Sequence, residues 1–252
     1  MEAWARTKVM RPLNDDDLAV LRKNRQQLMA MPEIDQATLD TLVEHWREIV
    51  WPSDKDESEY FALVRLDGTE RGPTAPRWLF HLLGLPHRAS HIGLLSPNGL
   101  VILQRRAATK KDWPNAWDMA VAGHVPVGEN GVSLTFRAGA EKEMIEEIGL
   151  TSADLIGGLL EIGSPYTSFE SRETDNPPFY NTEVRQIFGG IVSQAGMAKI
   201  SPDYEELSGI HLCTTESAWK MLESDPVAGG MRYSLPRYLD WLAQNPHWTD
   251  DK

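Results

Sequence analysis

The chain has 252 residues, a formal net charge of -12 and a single cysteine, Cys213. That length supports a full hydrophobic core in one large domain or a domain with an extension, while the acidity argues against a nucleic acid polymer or an anionic membrane as partner. A lone cysteine excludes an internal disulfide and suits a reducing cytosol; without a membrane-length apolar run or a signal-peptide core at the amino terminus, a cytoplasmic protein is expected.

In chain order, Asn14 and the three aspartates after it predict the start of a helix over about residues 12–31, because negative charge favours the positive end of the helix dipole. Leu18, Leu21 and Leu28 supply its apolar side. A second helix is expected from Asp35, with Leu39, Leu42, Val43, Trp46 and Ile49 or Val50 at helical spacing. Residues 51–59 are charged and loop-like. A strand over 60–66 then ends at Asp67-Gly68, and a short helix is expected over about 76–83 after Gly72-Pro73. Residues 1–88 are read together as an α-rich amino-terminal extension.

From Ala89 the pattern turns to short apolar runs. Residues 91–95, the turn Pro97-Asn98-Gly99 and residues 100–104 predict a hairpin. Further strands are expected near 118–122, 155–162, 184–192 and 209–212, with a charged, proline-bearing loop around 170–178. Helices are expected over 215–223, with a threonine cap, and over 235–243. Strands followed by helices predict an α/β layered domain over 89–252.

One acidic helix organises this domain. Leu134, Ala138, Glu141 and the run to Ile148 keep helical spacing, and Gly149 stands where a helix ends in a left-handed residue. Glu143, Glu146 and Glu147 then share one face. Three carboxylates so close repel one another. The plain reading is a solvated acidic face. The other is a hard divalent ion, Mg2+ or Mn2+, held by carboxylate oxygens with water and a substrate phosphate completing its shell.

The residues favour the second reading through a resemblance. Gly123, then Glu129 after five intervening residues, and the run Lys142-Glu143-Met144-Ile145-Glu146-Glu147-Ile148-Gly149-Leu150 resemble the box of the Nudix hydrolase family. Two features depart from it: Lys142 stands where the family has arginine, and twelve residues, 130–141, replace the usual seven before it. The extra five lengthen either the loop or the helix start, and Arg137 is a candidate for the role of the missing arginine. The resemblance implies a mixed β-sheet sandwiched between helices. It also implies Glu143, Glu146 and Glu147 as metal ligands together with the Ala122 carbonyl. Glu143 is the usual candidate to activate water, and Glu206 stands where several members place a second acid. Residues 1–88 resemble the extension that precedes the Nudix domain in thiamine-pyrophosphokinase-like members.

Residues 87–130 also resemble isopentenyl-diphosphate isomerase of the same superfamily, through His87-Arg88-Ala89, Gln104-Arg105-Arg106-Ala107, Lys110-Lys111-Asp112-Trp113-Pro114-Asn115-Ala116-Trp117 and Ala122-Gly123-His124. The isomerase carries its proton-transferring cysteine where this chain has Ala122, and a methyl group exchanges no proton. Arg105, Arg106, Lys110 and Lys111 form a basic cluster that suits a polyanionic substrate or simply solubilises a hairpin edge. His124 and His87 are metal ligands in the isomerase manner or hydrogen-bonded structural histidines. Trp113 and Trp117 line a pocket or pack the hairpin.

The expected function is metal-dependent hydrolysis of a nucleoside-diphosphate-type or other organic diphosphate. Arg105, Arg106, Lys111 and His124 would meet this small-molecule substrate. The alternatives are an isomerase-like enzyme and a non-catalytic ligand-sensing Nudix domain. A homodimer is left open.

Overall fold

The computed structural model describes residues 11–248. The first ten residues, read above as free of a signal-peptide core, lie outside that range. By contacts the chain divides into two units. The first takes the chain to Arg88 together with Pro126–Leu134 and Tyr166–Val184; the second takes Ala89–Val125, Thr135–Pro165 and the chain from Arg185.

In the first unit the helix starts lie where their capping residues place them. Asn14 caps α1 (Asp15–Ala30) in a reciprocal box with Asp17, and Asp35 caps α2 (Gln36–Val50) through the Thr38 N–H at 2.8 Å. Leu21, Leu28, Leu39, Val43, Trp46 and Val50 are buried in one cluster. The stretch read as a loop contains a short helix, α3 (Asp54–Ser58). Strand β1 (Tyr60–Val64) pairs antiparallel with β2 (Glu70–Pro76), and α4 (Arg77–Leu83) follows directly. The β2 strand is a correction: Gly72-Pro73 reads as a turn but lies in a two-stranded ladder, where a proline is tolerated. Phe61, Leu63, Trp78, Leu79 and Phe80 complete this core.

In the second unit, β3 (Pro86–Leu95, of which Ala89 onward belongs here) and β4 (Val101–Arg106) form the expected hairpin, Leu94 opposite Ile102, around a turn at Gly99 with φ of 75°. The expected strand over 118–122 is two strands, β5 (Trp117–Met119) on β4 and β6 (Val121–His124) on β3. Helix α5 (Phe136–Ile148) is followed by β7 (Leu155–Arg172, of which the part to Pro165 belongs here), β8 (Phe179–Val192, of which Arg185 onward belongs here), the short α6 (Gln194–Met197), β9 (Leu207–Cys213), α7 (Thr215–Ser224) and α8 (Gly229–Gln244). The main sheet runs β5-β4-β3-β8-β7, with β6 also on β3 and β9 also on β4. The α/β class and the sheet flanked by helices are as expected. Several bounds differ: β7 runs ten residues further, β8 begins five residues earlier at Phe179, β9 begins two residues earlier at Leu207, the cap of α7 is Thr214, and α8 begins at Gly229, with Pro236 inside it. Ala140, Met144 and Ile148 of α5 pack with Ile92, Ile102, Val121, Phe188 and Val192. Among the described residues no helix is long and apolar enough to cross a membrane.

Candidate metal and phosphate site

The acidic helix is defined at both ends by its own sequence. Thr135 caps it through the Ala138 N–H at 3.1 Å. Gly149 ends it at φ of 72°, its N–H bonded to the Ile145 carbonyl. Its last carbonyls would otherwise lack donors; Ser201 N–H reaches Ile148 and Asp203 N–H reaches Glu147, both at 2.9 Å. The helix begins at Phe136, so the five extra box residues lie in the loop before it, where Gly128 N–H bonds to the Val132 carbonyl at 2.8 Å. Glu129 is exposed on that loop.

The three box glutamates have different surroundings. Glu147 is 6% exposed. Its Oε2 accepts two N–H groups, from Ala122 of β6 and from the Gln104 side chain of β4, each at 3.2 Å. Burial holds its carboxyl well above the usual carboxylate range, and the charges of Glu143 and Asp118 add to that; the Ala122 N–H and Arg106 oppose it. The Glu143 side chain is 15% exposed and rests on Gly123, where an added Cβ would stand 2.3 Å from its carboxyl carbon. A side chain there would push the Glu143 carboxyl aside. Gly139, in the first turn of the helix, is also close-packed, its hydrogen facing Val125 where a Cβ would come within 2.8 Å. The Glu146 side chain is 55% exposed and paired with Lys142, four residues before it. Helix α5 thus brings Glu143 and Glu147 to the Ala122-Gly123 backbone and leaves Glu146 at the solvent edge.

Lys142 also lies 3.9 Å from Glu143 Oε1. Arg137 lies elsewhere, donating to the Leu159 carbonyl at 3.1 Å and facing Glu161 at 3.5 Å.

The basic cluster divides in the same way. Arg106 turns inward, donating to the Asp112 carbonyl at 3.2 and 3.0 Å and reaching Asp118 Oδ2 at 3.5 Å; it pins the 107–116 loop to β5. Arg105 is exposed, with its Nε on the Asn115 carbonyl. Lys110 pairs with Glu206, which is placed by Ala107 N–H on its carbonyl at 2.9 Å. Lys111 is exposed. His124 is half-buried on β6, opposite Ala89. His87 belongs to the first unit, buried and stacked on Phe61 at 4.7 Å. Trp113 is exposed at φ of 54°, and Trp117 lies 5.3 Å from the His211 ring.

Sequence reasoning gave no role to Gln104 or Asp118. Both are buried polar residues on sheet strands, and a glutamine directly after the apolar run Val101-Ile102-Leu103 is the sequence signal by which one of them is found.

The donor set fits a hard divalent ion. Glu143 and Glu147 could supply two carboxylates without sulfur, and Glu147 is buried against a second negative charge.

An α/β sheet domain with a glutamate helix seated on a Gly-His strand defines a recognisable class, and the comparisons agree. The model of the NUDIX domain matches residues 85–238, and the chain belongs to that family. It is similar to "Nudix hydrolase 3" of Arabidopsis thaliana, 31% identical over 93 residues, which is 36% of this chain and 11% of that protein. It is also similar to the isopentenyl-diphosphate Delta-isomerase of Corynebacterium efficiens, 28% identical over 130 residues, 51% of this chain and 63% of the other. The chain therefore covers less than two thirds of the length of either relative. A crystal structure from Deinococcus radiodurans shares the fold, with a TM-score of 0.51 at 18% identity over 71% of this chain and 98% of that one.

Proposed function

We propose that the chain hydrolyses the phosphoanhydride bond of a small organic diphosphate, of nucleoside-diphosphate or similar type, with Mg2+ or Mn2+ at the glutamate helix. The observation that carries this reading is Glu147, a buried carboxylate beside a second one. An ion held there would supply positive charge to offset the charge that builds on the phosphate oxygens when water attacks phosphorus.

Glu147 would supply a buried ligand and Glu143 a half-buried one, the Ala122 carbonyl a neutral one, and Glu146 a third carboxylate once it parts from Lys142. Glu143 orients and deprotonates the water, with Glu206 as the second candidate base; its pairing with Lys110 must open for that role. Arg105 and Lys111, exposed on and after β4, meet the distal phosphate. Arg106 acts with them by fixing the loop that carries Lys111, and His124 lies on the strand that carries Ala122. Residues 89–252 hold this chemistry, residues 1–88 form an extension that shapes specificity, and the protein works in the cytoplasm.

Phosphate release with and without Mg2+, over nucleoside diphosphate derivatives, prenyl diphosphates and thiamine diphosphate, tests the reading. Turnover that disappears in Glu147→Gln while ligand binding persists is the expected result. Absence of turnover on every diphosphate sinks hydrolysis and leaves a sensor. The isomerase reading predicts double-bond migration without phosphate release, and Ala122 offers it no thiol.

A further inference from the structure

Glu147 presents two unequal oxygens. Its Oε2 takes both N–H donors, from Ala122 and Gln104, while its Oε1 accepts no hydrogen bond among the described residues. The backbone donor is fixed by the β3–β6 ladder, in which Ala122 stands opposite His91. The other donor is a side chain from a different strand. Gln104 is fully buried, and β4 holds it in ladders on both edges, opposite Asp118 of β5 and Ile210 of β9. Its own Oε1 is buried and has no partner among the described residues. A core position that needed only volume would be filled by Leu or Met, since burying an amide with one group unpaired is unfavourable.

We infer that Gln104 is a positioning residue, whose N–H holds Glu147 Oε2 against Ala122 and so commits Oε1 to the divalent cation. This rests on the function proposed above. Partners that orient a metal-binding side chain from behind typically change metal affinity by about 10- to 100-fold when removed. Either donor alone would leave Oε2 free to swing about a single hydrogen bond. Two donors from different strands fix the position of Oε2, and the covalent side chain then sets where Oε1 points.

The test is Mn2+ affinity of the full chain, read from the paramagnetic resonance of the free ion, with the melting temperature in chelator as the measure of the fold itself. Gln104→Met keeps volume and removes the donor. Its expected phenotype is Mn2+ binding weakened about tenfold with the chelator melting temperature near wild type. Wild-type Mn2+ affinity in Gln104→Met overturns the inference while leaving the proposed function standing. If that variant does not fold, Gln104→Asn withdraws the amide by one carbon, and the same loss or its absence decides. Wild-type protein that binds no Mn2+, or Glu147→Gln that binds it as well as wild type, removes both the inference and the function beneath it.

Discussion

At the scale of single residues, the site is a problem of charge in a confined space. Glu147 has its carboxyl raised above an ordinary value of 4.5 by burial and by Glu143. A group raised in the folded state supports the fold below its unfolded pKa, and that support is lost as pH rises through the folded value. Metal-free wild type is therefore expected to lose thermal stability as pH rises above about 4.5, more steeply than Glu147→Gln. In chelator near neutral pH the variant should melt higher, and saturating Mn2+ should reverse the order. Thermal melts across pH in both states check this. Gly123 makes the complementary prediction. A methyl there meets Glu143, so Gly123→Ala should weaken Mn2+ binding by about tenfold or more, with the fold retained. Unchanged affinity in a Mn2+ titration would separate Glu143 from the ion.

At the scale of elements, what could be read in advance was what local chemistry decides. Asn14, Asp35 and Gly149 mark helix ends because they satisfy terminal N–H groups or adopt a left-handed turn within a few residues. What could not be read depends on distant partners. The Gly229-Gly230 start of α8 looks like a loop by propensity. Gly230 is needed because a Cβ there would stand 2.6 Å from His91 Cε1, so packing overrides propensity. The unequal fates of the three glutamates were equally hidden, because spacing gives a shared face and leaves open that Lys142 draws Glu146 outward. Asp154 offers a test at this scale. Lys199 and Thr151 hold its carboxyl down at about 2, from 3.8, where it ties the entry to β7 to the turn after α6. A lowered carboxyl supports the fold above its unfolded pKa, and the support disappears as pH falls through the folded value. Asp154→Asn should melt below wild type at neutral pH, and the gap should close by about pH 2.

At the scale of the molecule, a cation that binds only the folded chain stabilises all of it by mass action. At a concentration about 100 times its dissociation constant the gain is about 2.7 kcal/mol. A rise of that size in unfolding free energy on adding Mn2+, present in wild type and absent in Glu147→Gln, is expected from denaturant titrations. The second unit also holds Tyr238, wholly buried, its hydroxyl without a hydrogen-bond partner among the described residues and its phenol pushed far above its ordinary value of 10.0 by burial. The chain has six tyrosines, and in alkali this one surrenders its proton only when the polypeptide opens. Ultraviolet absorbance of phenolate should therefore grow in two stages, the later one coinciding with loss of circular dichroism, so that a single ring serves as an intrinsic optical clock for denaturation.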